Sequence, residues 1–145
     1  GEGPARGYLA TQAGILNIGG QVAFEGKLPS TAMPAFYHTI DVLVLPSRTR
    51  PNWKEQFGRV LIEAMACGVP VIGTTSGAIP WVIGDAGLLV PEDDEDALRG
   101  ALRSLITDRS LYARLSHMGR QRVLEHFTME QIAQQTVAVY RQMAG

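Results

Sequence analysis

Two short apolar runs, Val42-Leu43-Val44-Leu45 and Val69-Pro70-Val71-Ile72-Gly73, contain no alternation of polar with apolar side chains. A strand with one face in water alternates, whereas an unbroken run suits a strand of a parallel sheet covered on both faces. Strands are expected at Gln21–Phe24, Asp41–Leu45, Val69–Gly73 and Gly87–Val90, each bounded by Gly, Pro or Ser. Longer amphipathic stretches lie between them, so the class is α/β and the sheet is expected to be doubly wound.

The expected helices follow from the 3.6-residue period and its stop signals. The first opens at Pro4, carries Tyr8, Leu9, Gln12, Ala13 and Leu16 on one face, and stops at Gly19-Gly20. Others are expected near Met33–Thr39, Gly58–Cys67 and Ala78–Ile83. After Pro91 there is no strand signal, only helical stretches over Glu95–Thr107, Ser110–His126 and Met129–Ala144, with Asp108 and Thr128 as caps. The acidic run Glu92–Asp96 opens the first of these, where negative side chains complement the helix dipole. No repeat or linker breaks the chain, and residues 1–145 read as a single domain.

Composition excludes several functions. Thirteen basic and fourteen acidic side chains, without a basic cluster, leave no electrostatic footprint for nucleic acid. One cysteine, Cys67, can form no internal disulfide, which fits a reducing compartment; with no apolar run of transmembrane length, a cytoplasmic protein is expected. No metal is expected, because His38, His117 and His126 lie on expected helices without a ligand partner one turn away.

The chemistry concentrates between Pro46 and Gly73. A strand ends at Leu45, a polar loop follows, and a helix begins near Gly58, so a helix N-terminus lies where ligands bind in open parallel sheets, at the carboxyl ends of the strands. Glu55 precedes that helix start and Glu63 follows it. Two carboxylates so placed can accept hydroxyl groups on either side of a bound phosphate, in charge-assisted bonds about twice as strong as neutral ones. The competing reading is structural: Arg59 stands four residues from each acid and could pair with both, as surface ions worth about 0.5 kcal/mol.

The run Glu55-Gln56-Phe57-Gly58-Arg59-Val60-Leu61-Ile62-Glu63, followed by Ala64-Met65-Ala66-Cys67-Gly68-Val69-Pro70-Val71, resembles the E-x7-E signature of glycosyltransferase family 4. Gly1-Glu2-Gly3-Pro4 is similar to that family's GxGP turn, and Val22–Gly26 to its V-x-F-x-G strand. Gly77-Ala78-Ile79-Pro80 and Gly87–Pro91 are similar to its later donor-side loops, so the resemblance covers nearly the whole chain. It implies the Rossmann-like, donor-binding C-terminal half of a GT-B enzyme. A nucleotide-diphosphate sugar would be the donor, and glycosyl transfer would proceed with retention and without a metal or other cofactor.

Carried over by residue, Glu55 would be the catalytic-site carboxylate holding donor-sugar hydroxyls, and Glu63 would hold the ribose. Backbone N–H groups of Phe57 and Gly58 would meet the sugar, with Gln56 beside its pocket, and those of Val60 and Leu61 would face the diphosphate. Gly26, Lys27, Leu28 and Ser47 would border the base. Helix N–H groups and basic side chains would meet the charge of the departing diphosphate, as an oxyanion hole does.

The sequence also departs from the family pattern. Gln56 stands where many relatives have Gly. Trp81 replaces a common acidic residue and would either touch a partner domain or pack on the sheet; Trp53 would line an acceptor cleft or anchor its own loop; Cys67 would be core. Set against the family pattern, this chain is expected to lack the strand–helix unit that carries the diphosphate-clamping Arg and Lys, and the N-terminal acceptor domain. The expectation is therefore an N-terminally truncated donor domain, inactive alone, whose exposed edge could pair it as a homodimer. An absent domain could hold the full enzyme at a membrane surface. Two readings stay open beside this one: a non-catalytic nucleotide-binding or regulatory module, and an unrelated α/β protein in which Glu55 and Glu63 only form ion pairs.

Overall fold

The computed structural model of the chain describes residues 3–144, leaving Gly1 and Glu2 of the expected GxGP turn outside the described residues. Backbone contacts divide it into two compact units, Gly1–Met33 and Pro34–Gly145. In the first, helix α1 runs over Arg6–Ile15 and buries Ala13. It ends before the expected glycines. Asn17 adopts a left-handed backbone with φ 56°, its N–H bonds the Gly14 carbonyl, and Ile18 N–H reaches back to Ala13 at 2.9 Å. These paired bonds are a Schellman stop, with asparagine in the place usually taken by glycine.

The strand expected over Gln21–Phe24 does not form. Gly19–Gln21 is a 3-10 turn, and Val22 beyond it is extended at φ −110°, ψ 115°, but no strand pairs with it among the described residues. An apolar β-rich run becomes a strand only when a neighbour accepts its backbone hydrogen bonds, so intrinsic preference alone does not produce one here. A second 3-10 turn, Ser30–Ala32, leads to helix α2, Met33–Tyr37.

The second unit is built on a parallel sheet in the order β1-β2-β3, from Leu43–Leu45, Val71–Thr74 and Leu88–Val90. Leu43 pairs with Val71, and Ile72 pairs with Leu88. Helix α3 (Arg59–Ala66) crosses from β1 to β2 and α4 (Ile79–Ile83) from β2 to β3, followed by α5 (Glu95–Thr107), α6 (Arg109–His126) and α7 (Met129–Ala144). All four residues of β2 are buried. Ile72 packs in a core with Val90, Leu105 of α5 and Leu115 of α6. Its neighbour Gly73 points the other way, since a Cβ there would lie 2.5 Å from Ile79 and 2.8 Å from Ile83 of α4. The central strand is therefore covered on both faces, as its unbroken apolar run requires, while β1 is half-buried.

The expected caps form. Asp94 accepts from Ala97 N–H at 2.8 Å, Asp108 from Leu111 N–H at 2.9 Å, and Thr128 from Gln131 N–H at 3.2 Å. Among the described residues no helix is long and apolar enough to cross a membrane.

Candidate functional site at the start of helix α3

The loop from Pro46 to Phe57 connects β1 to α3 and carries Glu55. Gly58 turns it into the helix at φ 74° and is buried, and a Cβ there would meet Leu61 at 3.0 Å and Leu45 at 3.3 Å. Glycine takes up this left-handed backbone at no steric cost, and the close leucines leave little room for a side chain there. Glu55 folds back over the same point: its Oε1 accepts from Gly58 N–H at 3.1 Å, and its Oε2 accepts from Ser47 Oγ at 3.1 Å. Ser47 is itself fixed by β2, because Thr74 Oγ1 donates to the Ser47 carbonyl at 2.6 Å. Ser47 thus touches the Glu55 carboxylate.

The loop after β2 locks the Glu55 backbone. Ala78 N–H donates to the Glu55 carbonyl at 3.0 Å, and Gly77, at φ 55°, passes so close that a Cβ would lie 1.9 Å from that oxygen. Farther along the loop, Thr49 is clamped by Glu92, which accepts its N–H and its hydroxyl, each at 2.6 Å, while Thr49 Oγ1 also lies 3.0 Å from the buried Ser76 Oγ. The Thr49 hydroxyl bond first, then its N–H, holds the Glu92 carboxyl below its ordinary pKa. Arg48 pairs with Asp93 alongside. Trp53 closes its own turn through two backbone bonds with Arg50, at 2.7 and 3.1 Å, and leaves its ring half exposed.

Glu63 lies one turn into α3. Arg59 Nε donates to its Oε1 at 2.8 Å, so the structural ion pair forms with Glu63, whereas Glu55 takes Ser47 and Gly58 instead. The second Glu63 oxygen accepts from the hydroxyl of Tyr37 at 2.8 Å. Tyr37 is 2% exposed, and burial, reinforced by the Glu63 bond, pushes its phenol well above the ordinary tyrosine range. Within the helix start, Leu61 N–H is spent on the Gly58 carbonyl at 2.9 Å and its side chain is fully buried. Among the described residues the N–H groups of Arg59 and Val60 have no protein acceptor, as is usual for the first donors of a helix.

Gln56 is exposed, and Phe57 is 40% exposed within an aromatic group. Its ring centroid lies 6.3 Å from Trp81 and 6.1 Å from Phe127, with Trp81 and Phe127 edge-to-face at 5.5 Å. Trp81 therefore does not pack on the sheet; Arg122 donates to its carbonyl at 2.6 Å and to that of Val82 at 2.8 Å. Cys67 is half-buried at the α3 terminus, and His38, His117 and His126 are exposed. The structure thus brings Ser47, Glu55, Gln56, Phe57, Gly58, Val60, Leu61 and Glu63 together at one helix start. Gly26, Lys27 and Leu28 belong to the first unit, in an irregular stretch between its two 3-10 turns. Tyr37, Thr49, Ser76 and Glu92 escape sequence reasoning because each acts through a partner 26 to 43 residues away.

The parallel α/β fold and its sequence match one family of known proteins: the description Glycosyl transferases group 1 matches residues 1–122. The chain belongs to that family. It is 36% identical over 142 residues to N-acetyl-alpha-D-glucosaminyl L-malate synthase of Bacillus anthracis, covering 97% of this chain and 35% of that protein. It is 34% identical over 131 residues to the GDP-mannose-dependent alpha-(1-6)-phosphatidylinositol monomannoside mannosyltransferase of Mycolicibacterium smegmatis, covering 88% and 34%. Among solved structures, sucrose-phosphate synthase from Thermosynechococcus elongatus superposes with a TM-score of 0.82 at 34% identity, covering 99% of this chain and 37% of the other. The chain spans about a third of the length of these relatives. Its fold is that of the Rossmann-like half of a GT-B glycosyltransferase.

Proposed function

We propose that this domain binds a nucleotide-diphosphate sugar and presents it for glycosyl transfer, with retention, to an acceptor held by another domain of the same enzyme. The observation that carries this reading is the placement of Glu55 and Glu63 on either side of a helix start whose Arg59 and Val60 N–H groups are unspent. Each carboxylate oxygen already accepts one protein bond and keeps a second lone pair for a ligand. Glu55 takes hydroxyls of the donor sugar, beside Gln56 and the Phe57-Gly58 backbone, and Glu63 takes the ribose. The diphosphate lies over the helix end, where the N–H groups and the dipole favour its charge and stabilise it further as it departs. Val60 meets it with a free N–H, while Leu61 serves by seating the first turn. Ser47 borders the nucleotide and steadies Glu55.

Family membership, and a relative whose own description specifies GDP-mannose, support a sugar nucleotide as the ligand class. The reading assigns no resident metal or cofactor and places the protein in the cytoplasm. Turnover is assigned to the full enzyme and not to this domain alone. Binding is tested by titrating the chain with UDP, GDP, ADP and their sugar conjugates while following amide shifts by NMR. One nucleotide is expected to shift the amides of residues 57–61, with affinity lowered about tenfold in Glu63→Ala, the loss of hydrogen bonds to a charged group. Glu55→Ala is expected to lower affinity for the sugar conjugate more than for the bare diphosphate. Perturbations confined to other regions, or unaltered affinity in both variants, would sink the reading. Retention is checked by the anomeric configuration of the full enzyme's product.

A further inference from the structure

We propose that Tyr37 is a positioning residue for Glu63, fixing the carboxylate so that its two oxygens meet the vicinal hydroxyls of a nucleotide ribose. The proposal rests on the reading of Glu63 as the ribose acceptor. It starts from the inequality of the two donors that hold this side chain. Arg59 is 75% exposed and bonds Oε1 from the next turn of the same helix, a pairing that solvent weakens and that a flexible side chain can leave. Tyr37 is 2% exposed, sits edge-to-face with Phe36 at 6.1 Å, and bonds Oε2 at 2.8 Å from a different helix. A packed phenol has few rotamers to lose, so its hydroxyl defines a fixed point in the site.

A glutamate has three side-chain torsions to order before it can accept two hydroxyls at once. With Oε2 anchored by Tyr37, most of that ordering is complete before a ligand arrives, which is the means by which pre-organisation raises affinity. The accepting capacity remains sufficient: a carboxylate offers about four lone-pair directions, Tyr37 and Arg59 occupy one on each oxygen, and one per oxygen is left. The Glu63 side chain is 29% exposed, so a ligand can approach it. Two adjacent O–H donors on neighbouring carbons match two oxygens of one carboxylate. The phenol stays protonated throughout the neutral range, so Tyr37 orients the carboxylate without exchanging a proton with it.

The test uses the whole chain and Tyr37→Phe, which keeps the ring and its packing and removes only the hydroxyl. Binding is measured by NMR titration with whichever of UDP, GDP or ADP binds, and with the 2′,3′-dideoxy form of the same nucleotide. Tyr37→Phe is expected to weaken the parent nucleotide about tenfold and to leave the dideoxy form within about twofold of the unmodified chain. Equal losses for both ligands would make Tyr37 merely structural, and no loss for either would show that Arg59 suffices; both results overturn the proposal. Glu63→Gln separates the underlying reading: if it leaves parent and dideoxy affinities unchanged, Glu63 does not hold the ribose, whatever Tyr37 does. Failure of the unmodified chain to bind any of the three nucleotides removes the donor-site reading and this proposal together.

Discussion

A carboxylate that must meet a ligand has to be denied most of its torsional freedom, and the two acids of this site lose theirs in different ways. Glu63 is held by its side chain, between Tyr37 and Arg59. Glu55 is held at both ends, its carboxylate by Ser47 and Gly58 and its carbonyl by Ala78 N–H, with Gly77 pressed against that carbonyl. Gly77→Ala is therefore expected to do double damage. The left-handed backbone alone costs about 1–2 kcal/mol for a residue with a Cβ, and the 1.9 Å overlap must be relieved by moving residue 55. Chemical denaturation should show a loss of at least that size, and amide shifts should change at residues 55–58 even without ligand. A stable variant with unmoved shifts would show that the two loops are not coupled. Both acids and the glycine between them were legible in the sequence, because their spacing across a helix start has a physical meaning. Tyr37 was not. A lone tyrosine on a short helix gives no sign of what its hydroxyl will reach 26 residues later.

The loop that carries Glu55 is also held near its β1 end, where Glu92 joins Thr74, Ser76 and Asp93 as partners of residues 47–49. Glu92, just beyond β3, accepts two bonds from Thr49, and those bonds hold its carboxyl below the ordinary range. The folded-state value is depressed, so the bonds' contribution is complete at neutral pH and is lost as pH falls through that lowered value. The amide of Thr49 is expected to report this: its NMR shift should titrate with a midpoint below that of a free glutamate, and the titration should vanish in Glu92→Gln. A Thr49 amide that ignores acid down to unfolding would mean that the clamp does not hold in solution. The other elements divide by the same logic of local against distant causes. Helices α5, α6 and α7 follow their sequence signals to within a residue, since capping and amphipathic period are local. Strands β1 and β3 fall within their expected runs but are shorter, and β2 starts two residues late and ends one residue past its run, at Thr74, because pairing partners set where a ladder starts and stops. The run Gln21–Phe24 carries the same apolar signal and forms no strand, for want of a partner that no local pattern can supply.

Across the molecule, burial is distributed very unevenly between the two compact units. In the first, Ala13 is the one buried apolar residue among those described, and Tyr8, Leu9 and Ile15 of α1 and the following Leu16 are half exposed or more. The second unit holds the core: Leu61, Ala64 and Met65 of α3, Val71 and Ile72 of β2, and Ile79, Val82 and Ile83 of α4 are all at 0% exposure. Helix α7 buries none of its side chains among the described residues, and Ile132, Val137, Tyr140 and Met143 are exposed along it. Free energies of local opening follow buried apolar contact, from near zero at exposed segments up to the global value in the core. Native-state hydrogen exchange should therefore separate three classes of amide. Those of β2 and the buried face of α3 are expected to exchange only through global unfolding, and the amides of α7 and of residues 3–33 through far cheaper local opening. The site lies at the border, since Gly58 and Leu61 belong to the protected class while the Arg59 and Val60 amides have no acceptor among the described residues and should exchange fast. A nucleotide diphosphate seated on the helix end would slow those two amides specifically, without altering exchange in α7. Uniform protection along the chain would contradict the burial pattern, and unchanged exchange at residues 59 and 60 under saturating nucleotide would mean that the phosphate binds elsewhere.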